Sequence, residues 1–494
     1  MLAWQNNVPL FMIISPLIGA ALCSAFRERA ARAVVAAIAA LECTGMTVLL
    51  LFTLREGSFV YPMGSIGAPF GNELRIGPVE SATGLVLAAV MSLSLLGGRQ
   101  MLKRDVPPNR QSLYAAVICM LTAALPAMLF TNDLFTGYVF IEITTIAACA
   151  LISANGRGNT LFAAVRYMIM NLLGSGMFLL GLSVLYSLTG HLLFPQLGES
   201  VRRLTARGAY PVPLYLSFLL MTVGIAIKSA LYPFHTWVPN AYSSATAASG
   251  AILSSLISKM YIFLLLKLLL RAAGREVFAY WINHILMLYA VSGIIMGSVH
   301  AIRQHHLNRM VAYSSVAQIG YIFLGISLGS SSGYAAAVFH MLSHSAAKSL
   351  LFLSSNRLKT AAGGSDLLSD LYGSARQEPI AALAFTVGAC SLVGVPLLGG
   401  FASKVYLTQA GVQAGGWRTP VVLAALAVST LLNVAYMLRS LLTLYSEKEA
   451  GSPGAGRDRC FSAAAVLLLG INVVLGVCGG QIMTWVEKGL QVFL

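Results

Sequence analysis

Apolar stretches of about 20 residues follow one another along nearly the whole 494-residue chain, and each is long enough to cross a bilayer as a helix. Hydrophobic residues make up 57% of the sequence and charged residues only 10%, and the mean hydropathy is +0.78. Soluble globular domains carry about 25% charged residues. The chain is therefore predicted to be an all-α integral membrane protein.

The apolar stretches predict about fourteen transmembrane helices and leave little of the chain for a soluble domain. Their order predicts four segments along the sequence. These are an N-terminal three-helix segment (1–110), a first five-helix repeat (111–272), a second five-helix repeat (280–445) and a C-terminal helix (460–494).

Two of these helices contain a proline close to a lysine, which predicts a break within the membrane. The seventh span reads GIAIKSALYPFHTW around Pro233, and the twelfth reads GACSLVGVPLLGGFASKVY around Pro396. Proline removes a backbone hydrogen bond, and the freed groups need protein or water beside them. The two spans are five apart, and an odd offset inverts the second copy in the membrane. The pattern therefore predicts two inverted five-helix repeats with broken helices 7 and 12.

The net charge of +15 does not indicate a nucleic-acid-binding protein, because the basic residues cluster in short loops and form no stripe with interleaved aromatic residues. The predicted loops on one side of the membrane carry 18 lysines and arginines, against 9 on the other. Since cytoplasmic loops are the more basic ones, this bias predicts a multi-pass protein of the cell membrane (a bacterial or archaeal inner membrane) with both termini outside.

The sequence contains no signature of a cofactor of its own. Its seven cysteines form no CxxC pair, and no glycine-rich phosphate-binding motif follows a predicted strand. We therefore expect no cofactor and no metal in the chain, and we place any electron chemistry in partner proteins.

Ionisable residues inside the apolar stretches are the strongest functional signal: Glu142, Lys228, Lys259, Lys348 and Lys404. A charge at the centre of a membrane helix costs about 2.5 to 3.5 kcal/mol on insertion scales, and the group then usually marks an ion path. We expect an ion pair between Glu142 and Lys228, in which the carboxylate holds the lysine proton and its withdrawal releases it. The alternative for Glu142 is a neutral carboxyl that hydrogen-bonds a backbone group.

Other charged residues in the spans have alternative interpretations. Lys259 is expected to be stranded in its helix, whereas Lys267 and Arg271 lie close enough to the helix end to reach the membrane surface. Lys259 itself would reach the surface if its helix boundary were misplaced, and Lys404 would do so at the end of a short helix. Glu42 pairs either with a neighbouring subunit or with nothing, and the sequence leaves both open.

His340, His344 and Lys348 recur every four residues in the eleventh span and therefore share one helical face. At 1.5 Å per residue the row extends over about 12 Å. Because histidine titrates near neutral pH, the row fits a proton relay. Two alternatives stay open. One is a zinc site, since histidines at this spacing bind metal. The other is a structural row of side chains that hydrogen-bond neighbouring helices.

Taken together, these residues resemble the antiporter-like membrane subunits shared by respiratory complex I, Mrp sodium/proton antiporters and energy-converting hydrogenases. The resemblance covers about residues 113–445 and is strongest in IKSALYPFHTWVPNAY, RMVAYSSVAQIGYIFLG and FHMLSHSAAKSLLFL. It implies the same helix count and inverted repeats as those predicted above. The twelfth-helix lysine and the chain length resemble the Mrp D subunit most.

The resemblance also assigns residues by matching motif. It implies that Glu142 is the fifth-helix glutamate, Lys228 the seventh-helix lysine, Lys259 the central eighth-helix lysine, His340 and His344 the eleventh-helix histidines, and Lys404 the twelfth-helix terminal residue. The sequence departs from the family after the seventh helix, where Asn240 replaces an acidic residue and residues 244–248 lack the usual prolines.

The leading hypothesis is a proton-translocating subunit, or one that exchanges sodium for protons, in a hetero-oligomeric complex with homologous antiporter-like and small membrane subunits. Its relay would comprise Glu142, Lys228, Lys259, His340, His344, Lys348 and Lys404. The alternatives are a self-sufficient secondary transporter of a small solute and a structural scaffold in a redox complex. The sequence leaves open whether the parent complex is an Mrp-type antiporter, a hydrogenase or a quinone oxidoreductase, and therefore whether the chain takes part in an enzyme.

Overall fold

The computed structural model describes residues 7–65, 67, 71–273, 281–446 and 458–491, and this part of the chain is almost entirely helical. Twelve of the described helices are long and apolar enough to cross a membrane. The prediction of an all-α, multi-pass membrane protein is confirmed. The count of about fourteen spans stays a prediction.

The N-terminal part of the chain is a helical layer with one small sheet on its edge. Its helices are α1 (Val8–Ala25), α2 (Glu28–Glu56), α3 (Pro78–Gly97), α4 (Arg99–Asp105) and α5 (Pro108–Phe130). Between α2 and α3, strands β1 (Phe59–Pro62) and β2 (Glu73–Ile76) pair antiparallel.

The middle part contains two long helices, a broken helix and a fully buried one. The elements are α6 (Leu134–Ser153), α7 (Gly158–Thr189), α8 (Phe194–Ala206), α9 (Pro211–Ser229), α10 (Val238–Ser244), α11 (Ala247–Ile252) and α12 (Ser258–Leu268). A π-helical turn, Leu253–Ile257, joins α11 to α12, and a second, Leu269–Ala273, follows α12.

The remainder is again helical. It consists of α13 (Trp281–Ile302), α14 (Leu307–Ser327), α15 (Ser331–Ala361), α16 (Ser374–Gln377), α17 (Pro379–Val393), α18 (Gly399–Ala414), α19 (Arg418–Tyr445), α20 (Arg459–Val477) and α21 (Gly479–Gln491).

Helices 7 and 12 of the predicted set are broken. Helix α9 ends at Ser229, Ala230 adopts a left-handed conformation with φ +65°, and one 3₁₀ turn precedes α10. The carbonyl of Ile227 at this break accepts hydrogen bonds from the backbone N–H of Ala230 (3.2 Å) and the indole of Trp237 (3.4 Å). Irregular backbone at membrane depth is tolerated because protein groups satisfy it in this way.

The second break separates α17 from α18. Gly394 has φ +95° and Leu397 has φ +71°, so the chain leaves the helical path twice within four residues. The carbonyl of Val393, the last residue of α17, accepts a hydrogen bond of 2.7 Å from the Lys404 ammonium. The lysine predicted to end the ion path therefore also stabilises the break beside it.

Helix α15 and the broken pair of α17 and α18 account for the difference between twelve and fourteen spans. The polar residues of α15 lower its hydropathy, yet residues 333–355 of this helix are buried. A helix enclosed by other helices need not be apolar all round, because protein groups rather than lipid surround its polar side chains. The division into two inverted repeats stays a prediction.

Candidate functional site: a row of buried ionisable side chains

Glu142 and Lys228 form the ion pair expected from the sequence. The Lys228 Nζ lies 3.4 Å from the Glu142 Oε1 and donates a 2.8 Å hydrogen bond to the Thr145 hydroxyl. The Ser175 hydroxyl donates to the Glu142 carboxylate, and the Tyr261 ring lies 5.6 Å from the ammonium. We call these five residues the first lysine site.

The two charges of the first lysine site differ in exposure. The side chain of Lys228 is fully buried, whereas 25% of the Glu142 side chain is exposed. Lys228 occupies the last turn of α9, just before the break, where the negative end of the helix dipole favours a cation. The carboxylate therefore has an outward path on the surface of α6, while the ammonium has none.

Lys259, His344 and Lys348 lie close enough to interact electrostatically and form a second group, the central site. Lys259 is 1% exposed and donates to the carbonyl of Ser254 in the π-helical turn before α12. Lys348 is fully buried and donates to the Ser314 hydroxyl (2.6 Å) and the Val311 carbonyl (2.7 Å) of α14. Lys259 is therefore enclosed in the protein, as the sequence predicted, and does not reach the membrane surface.

His340 and Lys404 form the third group, the end site, around Tyr321. The His340 Nδ1 lies 3.0 Å from the Ser403 hydroxyl, and the Lys404 Nζ donates a 3.0 Å hydrogen bond to the Thr430 hydroxyl. The Tyr321 ring packs against both, with 5.2 Å between the ring centroids of Tyr321 and His340 and 5.6 Å to the Lys404 Nζ.

The two histidines of α15 connect the central site to the end site. Their rings are stacked, with centroids 6.0 Å apart and planes at 13°. Three of their ring nitrogens, Nε2 of His340 and both nitrogens of His344, are buried without a hydrogen-bond partner in the part of the chain that the structure describes. Protons therefore cannot pass between these rings along existing side-chain hydrogen bonds, and a ring rotation or a bridging water is needed.

Lys267 corrects the sequence interpretation. It is fully buried and does not reach the membrane surface, because its ammonium donates to the carbonyls of Leu129 (2.6 Å) and Thr131 (2.7 Å) at the end of α5. Glu80 of α3, which is 1% exposed, lies close enough for the two charges to interact. The span continues through the residues after Lys267 to Ala273, so Lys267 is farther from the membrane surface than the sequence indicated. The sequence did not identify Glu80 as a buried charge, because it follows Pro78 at the start of a helix.

Glu42 is also buried, at 3% exposure, and its Oε1 has no hydrogen-bond partner among the described residues. It lies on the wall of an apolar cavity between α2, α3 and α5. Within the described ranges, no group of three or more His, Cys, Asp or Glu side chains is arranged to hold a metal ion.

The family described as NADH:quinone oxidoreductase/Mrp antiporter, transmembrane part, matches residues 131–437, which include every residue of the three sites. The chain belongs to this family. Subunit N of the NADH-quinone oxidoreductase of Desulforudis audaxviator is 34% identical to it over 465 residues, 91% of each chain.

Two solved structures have the same fold as this chain. One chain of the archaeal membrane-bound sulfane sulfur reductase matches with a TM-score of 0.89 at 25% identity, covering 99% of this chain and 98% of that one. A chain of the Mrp complex from Dietzia sp. also matches with a TM-score of 0.89, at 21% identity. The match covers 100% of this chain and 98% of the Mrp chain. The family prediction is confirmed, while a particular likeness to the Mrp D subunit stays a prediction.

Proposed function

We propose that this chain translocates protons as an antiporter-like subunit of a hetero-oligomeric complex in the cell membrane. The observation that carries the proposal is the 3.4 Å pair of Glu142 with a fully buried Lys228. A buried ammonium is costly, and membrane proteins retain such groups mainly on ion pathways. The family relatives support the same function, since they are subunits of quinone oxidoreductases and of Mrp-type complexes.

The proposed route joins the three sites in order. A proton on Lys228 passes through the central site at Lys259, His344 and Lys348, then by way of His340 to Lys404. Hydroxyl groups accompany most of this path, and short hydrogen bonds such as those of Lys348 to Ser314 and of Lys404 to Thr430 hold the amines in place.

Glu142 acts as the gate of this route. While its carboxylate lies beside Lys228, the charged lysine is stabilised. Movement of the carboxylate toward its exposed side leaves the ammonium with the Thr145 hydroxyl as its close partner and favours proton release to the central site. A neighbouring subunit at this surface of α6 triggers the movement. A charge on that subunit competes with Lys228 for the Glu142 carboxylate, which is 25% exposed.

Hydration of the histidine pair completes the route. His340 and His344, whose ring nitrogens lack partners among the described residues, border a small space together with Lys404 and Gln318. This space has no room for a water molecule. Widening of this space during the cycle admits the water that joins the rings. We further propose that both termini lie outside, as the distribution of basic residues indicates.

The experiment is a Lys228→Met substitution in the whole complex, purified and reconstituted in vesicles. Proton movement is followed with a pH-sensitive dye, and a sodium jump in the same vesicles tests whether sodium is the counter-ion. We expect proton movement to fall to background while the subunit composition stays unchanged. Lys488→Met, at an exposed position of α21, is the matched control. Wild-type proton movement by the Lys228 variant would refute the proposal.

A further inference from the structure

A polar pocket of about 460 Å³ opens beside the break after α9, apart from the three proton sites. Ten residues line it. Two of them, Arg166 and Arg309, carry a positive charge, two more, His235 and His300, have imidazole rings that donate hydrogen bonds, and none of the ten is acidic. The four come from three parts of the chain, α7, the 3₁₀ turn after α9 and the junction of α13 with α14.

We call this pocket the basic pocket, and two of its basic side chains, His235 and Arg309, have free hydrogen-bonding capacity. His235 is only 7% exposed, yet its Nδ1 has no hydrogen-bond partner among the residues that the structure describes. Its ring is stacked between those of Tyr232 (5.2 Å) and His300 (5.6 Å), which fixes its orientation. The Nε of Arg309 is likewise buried without a partner. Buried donors of this kind are costly unless a ligand satisfies them.

The other two large polar pockets lack this one-sided charge. The pocket at the end of α4 has Arg104, Arg157 and Lys359 on its walls together with Asp105 and Asp366. The pocket near the start of α6 contains Asp133. Acidic side chains lie on the walls of both pockets, whereas the basic pocket has none and is therefore the better site for an anion.

From this arrangement we infer that the basic pocket binds a phosphate group. Arginine donates paired, charge-assisted hydrogen bonds that match phosphate oxygens, and Thr236 and Asn240 on the same walls add neutral donors. His300 lies in the last turn of α13 and Arg309 in the first turn of α14, so the pocket is at the ends of membrane helices. Basic pockets between such helices also bind phospholipid headgroups. Phosphate is the shared chemistry of a headgroup and of the dissolved ion.

The test uses the full-length protein in nanodiscs and does not depend on proton translocation. In one arm, native mass spectrometry measures retention of phosphatidylglycerol against phosphatidylcholine. In the other, the shift in thermal unfolding temperature is titrated with inorganic phosphate, with chloride at equal ionic strength as reference. The variants are Arg309→Gln and Arg166→Gln. The second is included because the Arg166 side chain is exposed and is not needed for folding. Arg303→Gln, exposed at the same junction but outside the pocket, is the control.

We expect Arg309→Gln to weaken binding at least about tenfold, as the loss of one charge-assisted hydrogen bond implies, and Arg166→Gln to weaken it less. Binding of phosphatidylglycerol that is weakened in both variants and kept in Arg303→Gln supports a headgroup site. Binding of inorganic phosphate with the same variant pattern and no preference for the lipid supports a solute site. Absence of both, or equal effects of all three substitutions, overturns the proposal.

Discussion

Replacing Glu142 with glutamine removes one charge from the first lysine site and changes little else. Glutamine has the length of glutamate, and its amide oxygen still accepts the hydrogen bond that Ser175 donates. Lys228 keeps its 2.8 Å hydrogen bond to Thr145 but loses the carboxylate at 3.4 Å. The substitution therefore isolates the electrostatic part of the proposed gate.

The size of the effect follows from the distance. Two opposite unit charges 3.4 Å apart interact by about 5 kcal/mol at an effective dielectric constant of about 20. Glu142→Asp shortens the side chain by one methylene and lengthens the pair to about 5 Å, which reduces the interaction to about 3 kcal/mol. We therefore expect coupled proton movement to decrease in the order wild type, aspartate, glutamine.

The assay is dye-monitored proton uptake by the reconstituted complex, with subunit composition checked by co-purification. Glu199→Gln on α8 is the matched control, because Glu199 pairs with Arg203 at the surface, where their side chains are 55% and 66% exposed. Such exposed helical pairs contribute only about 0.3 to 0.5 kcal/mol. We expect uptake below one tenth of wild type for Glu142→Gln and unchanged uptake for the control. Full uptake in Glu142→Gln would show that the pair is structural.

Two further substitutions test the surroundings. Thr145→Val keeps the side-chain volume but removes the hydroxyl that accepts a hydrogen bond from Lys228. We expect slower proton uptake by a complex that still assembles. An unaltered rate would contradict the role of this contact. Gly400→Ala would place its Cβ against the backbone carbonyl of Ser391 at the second helix break, so we expect about 1 to 3 kcal/mol of destabilisation, seen as a lower thermal unfolding temperature. Gly176→Ala on α7, where a Cβ meets nothing within 4 Å, is the control and should stabilise slightly.

The charged members of the site could be predicted from the sequence because each one contradicts its apolar surroundings. Glu142 and Lys228 are the clearest case, since two opposite charges in separate membrane helices have few partners other than each other. Their hydroxyl neighbours Thr145 and Ser175 could not be predicted. Serine and threonine are common in membrane helices, and only the packing of α6 against α7 and α9 decides which of them face a charge.

The wrong prediction for Lys267 has a different cause. The expectation that it reaches the surface assumed that the helix end and the membrane surface coincide. The end of α5 instead covers this part of α12 and places the carbonyls of Leu129 and Thr131 within 2.7 Å of the ammonium. The basic pocket escaped prediction for a related reason, because Arg166, His235 and Arg309 are far apart in the chain and each resembles an ordinary residue at a helix end.

The helix that carries three of the seven residues of the proposed relay is not one of the twelve most apolar helices. His340, His344 and Lys348 are what make α15 useful for proton transfer, and together with its serines they exclude it from the twelve apolar helices. Burial resolves the conflict, since α15 is surrounded by helices whose own polar groups, such as Ser314 and Ser403, face it. In a chain of this kind, a polar helix between apolar ones is therefore better evidence of an ion path than of a loop. The test is whether its charges, like Lys348 at 0% exposure, are fully enclosed.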